Sequence, residues 1–168
     1  MPISDQSNQS WVIEQLKPLE LTSMLDVGAG AGTYAHVFAQ HFPNVNRFAV
    51  EAWTPYINEF ELQMLYTEVF NRDIRDHKYF TYDIVIFGDV LEHMTKEEAL
   101  VVWNKVAKKA KYALISIPII HYPQDAVHGN PFERHVKDDW THEEVLETFP
   151  QITNFVTSDV VGSYLATF

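Results

Sequence analysis

Three glycines at alternate positions follow an acidic residue near the start of the chain: Gly28, Gly30 and Gly32 come after Asp26. The apolar residues before Gly28 predict a strand, and the apolar residues after Gly32 have helical spacing. Glycine permits a positive φ and a close approach of ligand to backbone. A helix N-terminus attracts negatively charged groups. The segment therefore predicts a strand, a ligand-binding turn and a helix, which begin a βαβ nucleotide-binding unit.

The spacing of the glycines separates two classes of ligand. A dinucleotide-binding fingerprint has its third glycine at position 33, where this chain has Thr33. An acid followed by GxGxG resembles motif I of the class I S-adenosylmethionine (SAM)-dependent methyltransferases. The resemblance implies that the cofactor contacts this motif at Asp26, Gly28, Ala29, Gly30 and Gly32. A tight turn that binds no ligand is the alternative for this motif taken alone.

A second motif follows residues 82–87, the most continuous buried-strand signal in the chain. The string Leu91-Glu92-His93 is similar to the motif after strand four in many small-molecule methyltransferases. The resemblance implies cofactor contacts at the four residues Gly88, Asp89, Val90 and Leu91. It also places His93 at the reaction centre, with a hydrogen-bonded structural histidine as the alternative.

Acidic residues also end the predicted second and third strands. Ligands of doubly wound sheets bind at the carboxyl ends of the strands, and a carboxylate can accept from both hydroxyls of a ribose. The resemblance to the methyltransferases implies that Glu51 binds the ribose and that Asp73 accepts from the adenine amino group. Asp76 is the alternative to Asp73. The resemblance also implies that Ala52, Trp53 and Ile74 lie around the adenine.

Residues 119–140 form a long segment after the predicted fifth strand, rich in histidine and aromatic side chains. Long loops of this kind tend to carry function, and histidine titrates near neutral pH. We therefore expect the loop to form the acceptor pocket. His128 and His135 are the first candidates for the base or for orienting the acceptor, and Glu133 could orient either one.

A metal site is the competing interpretation of this loop. Its possible ligands are His121, Asp125, His128, Glu133 and His135. Their spacing matches no compact metal-binding motif. We therefore expect that no metal is bound by these residues.

The order of predicted elements indicates an α/β protein, and the resemblance covers residues 24–168. It implies a doubly wound, Rossmann-like sheet of seven strands, mostly parallel with an antiparallel last strand. We expect a single domain over residues 1–168, in which residues 1–20 form a helical cap. Residues 75–81 leave little room for the usual helix between strands three and four.

Composition limits the partners and the compartment. The formal net charge is -11, which is poorly suited to binding a nucleic-acid backbone. No apolar run approaches the ~20 residues of a membrane span, and the N-terminus shows no secretory signal. The absence of cysteine permits a reducing compartment. We expect a cytoplasmic monomer or homodimer.

The motifs together predict transfer of a methyl group from SAM to an oxygen or nitrogen acceptor, which leaves S-adenosylhomocysteine (SAH). The acceptor is expected to be a small molecule or a glycan. A SAM-binding regulatory or scaffold subunit without catalysis is the alternative. An NAD-dependent oxidoreductase is disfavoured by Thr33 and by the Leu91-Glu92-His93 string.

Overall fold

Seven strands form one sheet in the computed structural model, which describes residues 4–78 and 81–168. The strands are β1 Ser23–Val27, β2 Asn46–Glu51, β3 Glu68–Asn71, β4 Tyr82–Gly88, β5 Ala110–Pro118, β6 Ile152–Thr157 and β7 Val161–Thr167. Their order is β3-β2-β1-β4-β5-β7-β6. β7 pairs antiparallel with both of its neighbours, and the other pairings are parallel. The expected fold class is confirmed.

Six helices connect or flank these strands in the described part of the chain. They are α1 Gln9–Leu16, α2 Thr33–His41, α3 Thr54–Glu59, α4 Leu62–Leu65, α5 Lys96–Val106 and α6 His142–Thr148. α3 and α4 are separate helices, because Glu61 between them has a φ of 48°. Only a three-residue 3₁₀ turn, Ile74–Asp76, lies between β3 and residue 78, as the short connection predicted.

Two apolar clusters cover the two faces of the sheet. Along β1 and β4 successive side chains alternate between the clusters, because neighbouring strand residues point to opposite faces. One cluster joins the sheet to α1 through α4, and the other joins it to α5 and α6. Phe38 is the fully buried centre of the first, and Trp103 packs on Phe87 in the second. This arrangement is the doubly wound layering that the sequence predicted.

The central pair β1 and β4 brings the two sequence motifs to one edge of the sheet. Val27 is in register with Phe87, so the glycine turn after β1 lies beside the turn after β4. At the opposite end Asp83 fixes the pair, since its carboxylate accepts from the backbone N–H groups of Thr22 and Ser23. Lys111 of β5 forms an ion pair with the same carboxylate at 2.6 Å.

The segment after β5 is closed by hydrogen bonds between its two arms. Tyr122 N–H donates to the Asp138 carbonyl at 2.7 Å, and His135 N–H donates to the Gln124 carbonyl at 3.0 Å. The loop is therefore a compact appendage at the carboxyl edge of the sheet. Within residues 4–78 and 81–168, none of the helices has the length and apolar character needed to cross a bilayer.

Candidate functional site

A cavity of about 420 Å³ opens at the carboxyl ends of the parallel strands. This location is where doubly wound sheets bind their ligands, and the volume is typical of small-molecule sites. The wall is formed by the glycine turn, the ends of β2 and β4, the 3₁₀ turn after β3 and the loop after β5. One contiguous space therefore touches every region that the sequence analysis assigned to cofactor or acceptor.

The glycine turn needs glycine for its backbone and for its packing. Gly28, Gly30 and Gly32 have φ of 64°, 51° and 76°, which side chains rarely adopt. A Cβ at Gly28 would lie 2.8 Å from a methyl group of Val90, so the two motifs touch here. Gly28 and Gly30 line the cavity, whereas Gly32 begins α2 and packs against Leu65.

Glu51 lies at the end of β2 with its carboxylate in the cavity wall. Its two oxygens accept from the Gly30 N–H at 3.0 Å and from the Trp53 N–H at 2.7 Å. Burial raises the pKa of Glu51, and these backbone hydrogen bonds oppose the rise. Each carboxylate oxygen can accept more than one hydrogen bond. Glu51 can therefore hold the turn and still accept from two hydroxyls of a ligand.

Asp73 lines the cavity at the end of β3, while its rival Asp76 is exposed and does not. Asp73 caps the following 3₁₀ turn and forms an ion pair with Arg75 at 2.6 Å. Burial would raise the pKa of Asp73, but its hydrogen bonds with Arg75 lower it below the usual value. Any donor from a ligand would therefore share this carboxylate with Arg75.

The turn after β4 is covered by the N-terminal segment. A Cβ at Gly88 would lie 2.3 Å from the Tyr34 ring, so only glycine fits there. Ser4 donates to the Gly88 carbonyl, and the Asp5 N–H donates to the Asp89 carboxylate at 2.8 Å. Asp89 has a φ of 56°, a strained backbone conformation that occurs at functional sites more often than elsewhere. Burial raises its pKa to about 7.

The loop after β5 supplies the remaining wall of the cavity. Its lining residues are Asn130, Pro131, Phe132, Glu133, Arg134 and Val136. Asn130 shapes this stretch, because its buried side chain accepts from the Phe132 N–H at 2.9 Å. Glu133 is also buried, at 8% exposure, although it is a lining carboxyl group. The loop thus presents both a carboxyl group and an aromatic ring to the cavity.

His93 and His135 lie together at the same wall. Their ring centroids are 5.0 Å apart, and His93 lines the cavity whereas His135 does not. Burial lowers the pKa of both imidazoles, which favours their neutral forms. Glu92 beside them is fully buried. The structure therefore groups three residues that the sequence analysis had distributed between two motifs.

Seven of the predicted site residues are not brought to the cavity wall: Asp26, Ala29, Gly32, Trp53, Leu91, His128 and His135. Leu91 is fully buried in the core beneath the turn. Trp53 contributes its backbone N–H to Glu51 and not its ring to the cavity. His128 is exposed on a turn where its own φ is 50°, outside the lining. The position of His128 does not support its expected role as the base.

Asp26 is directed away from the cavity because it precedes Val27, which faces the cavity, and strand residues alternate. Its carboxylate accepts instead from the Tyr66 hydroxyl at 2.5 Å. Burial raises the pKa of Asp26 to about 7, the Tyr66 hydrogen bond opposes this rise, and Glu51 adds to it. The acid of the first motif is therefore hydrogen-bonded to the residue two positions before β3 and does not face the cavity.

The raised pKa of Asp26 predicts a specific pH dependence of stability. The folded state keeps a proton that the unfolded state loses above pH ~4, so the free energy of unfolding falls as pH rises towards about 7. Asp26→Asn removes this loss and keeps an acceptor for Tyr66. The difference in free energy of unfolding between the variant and the wild type, measured by urea unfolding, should increase by on the order of 2 kcal/mol from pH 5 to pH 7. An equal difference at both pH values would contradict this interpretation.

Several lining residues carried no signal in the sequence. Val27 and Val50 are ordinary strand residues, and Tyr56 and Arg72 belong to no motif. Ser4 reaches the cavity from a stretch before the first helix, whereas Trp11 of α1 packs against an apolar cluster. The hydrogen bond of Ser4 joins it to Gly88, 84 residues away in the chain, which local patterns do not reveal.

Solved structures share this fold, although no protein-family model and no curated protein matches the chain. A SAM-dependent methyltransferase from Clostridium acetobutylicum aligns with a TM-score of 0.71 at 14% identity, over 99% of this chain and 92% of that one. A candidate O-methyltransferase from Nostoc punctiforme gives 0.71 at 16% identity, over 97% and 56%. The N-terminal domain of EvdMO1, solved with SAH bound, gives 0.68 at 15%, over 97% and 81%.

The chain spans 56% of the Nostoc protein and 49% of the mitomycin 7-O-methyltransferase MmcR, about half of each. Identities of 14–16% show a shared fold and do not by themselves establish a shared activity. At the level of the fold, the expected resemblance is confirmed. The chain has the Rossmann-like fold of class I SAM-dependent methyltransferases.

Proposed function

We propose that this protein binds SAM in the cavity and transfers its methyl group to a hydroxyl of a small molecule. The observation that carries the proposal is one cavity shared by the glycine turn, Glu51 and the loop after β5. SAM supplies an electrophilic methyl group on its sulfonium when it is bound. Positioning of the acceptor then accounts for much of the rate in such a reaction.

The cofactor side of the cavity fits the polar groups of SAM. Glu51 would accept from the ribose hydroxyls, and the turn at Gly28 and Gly30 would receive the amino-acid tail. Asp89 and Ser4 cover the end of β4, so residues 4 and 5 would close this side. Acidic side chains in the wall also favour a cationic sulfonium electrostatically.

The acceptor side is proposed to be the loop of residues 119–140. Phe132 and Val136 offer apolar contacts there, and Glu133 is the buried carboxyl group that reaches the cavity. We assign to Glu133 the removal of the acceptor proton, a role the sequence analysis gave first to His128 and His135. A hydroxyl acceptor needs such a base, because it must lose its proton as the new bond forms. A free molecule or a sugar of a glycan could supply the hydroxyl.

A SAM-binding subunit without catalysis is the second candidate. It would retain the glycine turn and Glu51 but would need no acceptor wall. The carboxyl and aromatic groups that the loop presents to the cavity favour the enzyme.

The test combines calorimetry with a product assay. The purified chain should bind SAM and SAH with micromolar or tighter affinity and should not bind NAD. With pools of small hydroxylated compounds and sugars, SAH formation should exceed the acceptor-free rate for at least one pool. SAM binding without product in any pool would favour the non-catalytic subunit, and NAD binding without SAM binding would overturn both.

A further inference from the structure

Glu92, His93 and His135 form a compact group that the proposed methyl transfer does not use. One potential ligand atom from each residue lies within 4.8 Å of the other two. Glu92 and His93 follow β4 directly, whereas His135 comes from the loop after β5, so the fold assembles the group from two segments. Among the described residues it is the one such cluster of three.

Glu92 is the feature that points to a ligand. Its side chain is 1% exposed, and neither carboxylate oxygen has a hydrogen-bond partner among residues 4–78 and 81–168. A buried carboxyl group without donors is costly, and native proteins nearly always satisfy it by hydrogen bonds, pairing or metal coordination. No lysine or arginine pairs with Glu92 in the described part of the chain. A cation between the three residues would satisfy this carboxylate.

Both histidines are oriented by the backbone in the way that metal ligands are. Nδ1 of His93 lies 3.1 Å from the Arg134 carbonyl, and Nδ1 of His135 lies 2.6 Å from the Tyr122 carbonyl. A carbonyl only accepts, so each Nδ1 must carry the proton. Each Nε2 then has a free lone pair. Metal-binding histidines almost always donate their other ring N–H to such a carbonyl or carboxylate.

We propose that Glu92, His93 and His135 bind a divalent first-row transition metal ion, with Zn²⁺ as the representative. Two imidazoles and one carboxylate are ligands suited to Zn²⁺ and its neighbours, and less suited to Mg²⁺. Three protein ligands leave a coordination position open. Of the five possible ligands that the sequence analysis listed, His135 belongs to this group. His121, Asp125 and His128 are exposed, and Glu133 is not one of the three clustered residues.

The site connects the turn after β4 to the acceptor loop. The Glu92 carbonyl already accepts from the backbone N–H groups of Val136 at 2.8 Å and Lys137 at 3.0 Å. His93 is at once a proposed ligand and a lining residue of the cavity. Because His93 lines the cavity, an acceptor oxygen bound there would be the ligand for the open position. This last step rests on the proposed methyl transfer, whereas metal binding itself does not.

The experiment titrates Zn²⁺ into the chelator-treated full chain by calorimetry, in the absence of SAM, with Mg²⁺ in parallel. Co²⁺ replaces Zn²⁺ in a second titration, so that its visible spectrum reports the ligand field. We expect one equivalent of Zn²⁺ to bind and Mg²⁺ to bind much more weakly. His135→Ala should weaken Zn²⁺ binding more than tenfold and remove the Co²⁺ signal. His128→Ala, in the same loop but outside the group, should change neither.

Three results of the Zn²⁺ titrations would overturn the proposal. The folded wild-type chain could fail to bind Zn²⁺, His135→Ala could bind Zn²⁺ as tightly as the wild type, or His128→Ala could lose as much Zn²⁺ affinity as His135→Ala. Glu92→Gln adds a second ligand test, and its thermal unfolding confirms that it folds. Loss of Co²⁺ signal in folded Glu92→Gln is expected, and an unchanged signal contradicts the site. SAM affinity measured in the presence of a chelator tests the proposed cofactor site without the metal, and Zn²⁺ titration without SAM tests the metal site alone. Failure of one proposal is therefore distinguishable from failure of the other.

Discussion

Glu51→Gln is expected to reduce SAM affinity about 100-fold while the chain remains folded. The carboxylate accepts from Gly30 and Trp53 and would also accept from both ribose hydroxyls. Glutamine has one acceptor oxygen and presents an NH₂ group to donors on the other side. Losing hydrogen bonds to a charged group costs about 1.5–3 kcal/mol each, and about 2.7 kcal/mol corresponds to 100-fold in Kd. Calorimetry with SAM and with SAH measures the change.

The matched control is Glu59→Gln, which removes the same charge from an exposed position in α3. Its SAM affinity should remain within twofold of the wild type. If Glu51→Gln bound SAM as tightly as this control, Glu51 would not contact the ribose. The cofactor assignment of the cavity would then lose its strongest residue.

Glu133→Gln is expected to lower the rate of SAH formation by about 10²–10³ with little change in SAM affinity. General-base catalysis typically contributes about 10²–10⁴ in rate, and glutamine cannot accept the proton. Because Glu133 lies on the acceptor wall, SAM should still bind within about threefold of the wild-type Kd. The measurement is the turnover number with the active acceptor pool, at saturating SAM.

Glu143→Gln provides the comparison for this variant, since Glu143 is exposed in α6 and does not line the cavity. Its turnover should equal that of the wild type. Wild-type turnover in Glu133→Gln would remove Glu133 as the base. An equal loss of SAM affinity and of turnover would instead indicate that Glu133 supports the cofactor side.

The features that sequence predicted well are those fixed by local backbone chemistry. The glycines at 28 and 30 are required by positive φ, and Glu51 follows from its place at the end of a strand. β4 was expected over residues 82–87, close to its observed bounds, because a continuous apolar run identifies a buried strand. The short 3₁₀ turn after β3 was expected because few residues separate β3 from β4.

The features that sequence missed depend on contacts between distant segments. Asp26 belongs to the first motif, but strand alternation directs it to Tyr66, 40 residues later. His128 and His135 looked equivalent in the loop, yet a turn exposes the former while the arms of the loop hold the latter beside His93. Glu92 became conspicuous only when its burial without a partner was known.

A crystal structure of the chain with SAH tests the central claim most directly. The account predicts SAH in the cavity at the carboxyl edge of the sheet, with its ribose hydroxyls within hydrogen-bond distance of the Glu51 carboxylate and its amino-acid tail on the turn at Gly28 and Gly30. An SAH molecule bound elsewhere, or crystals with an SAH-free cavity at saturating ligand, would contradict it.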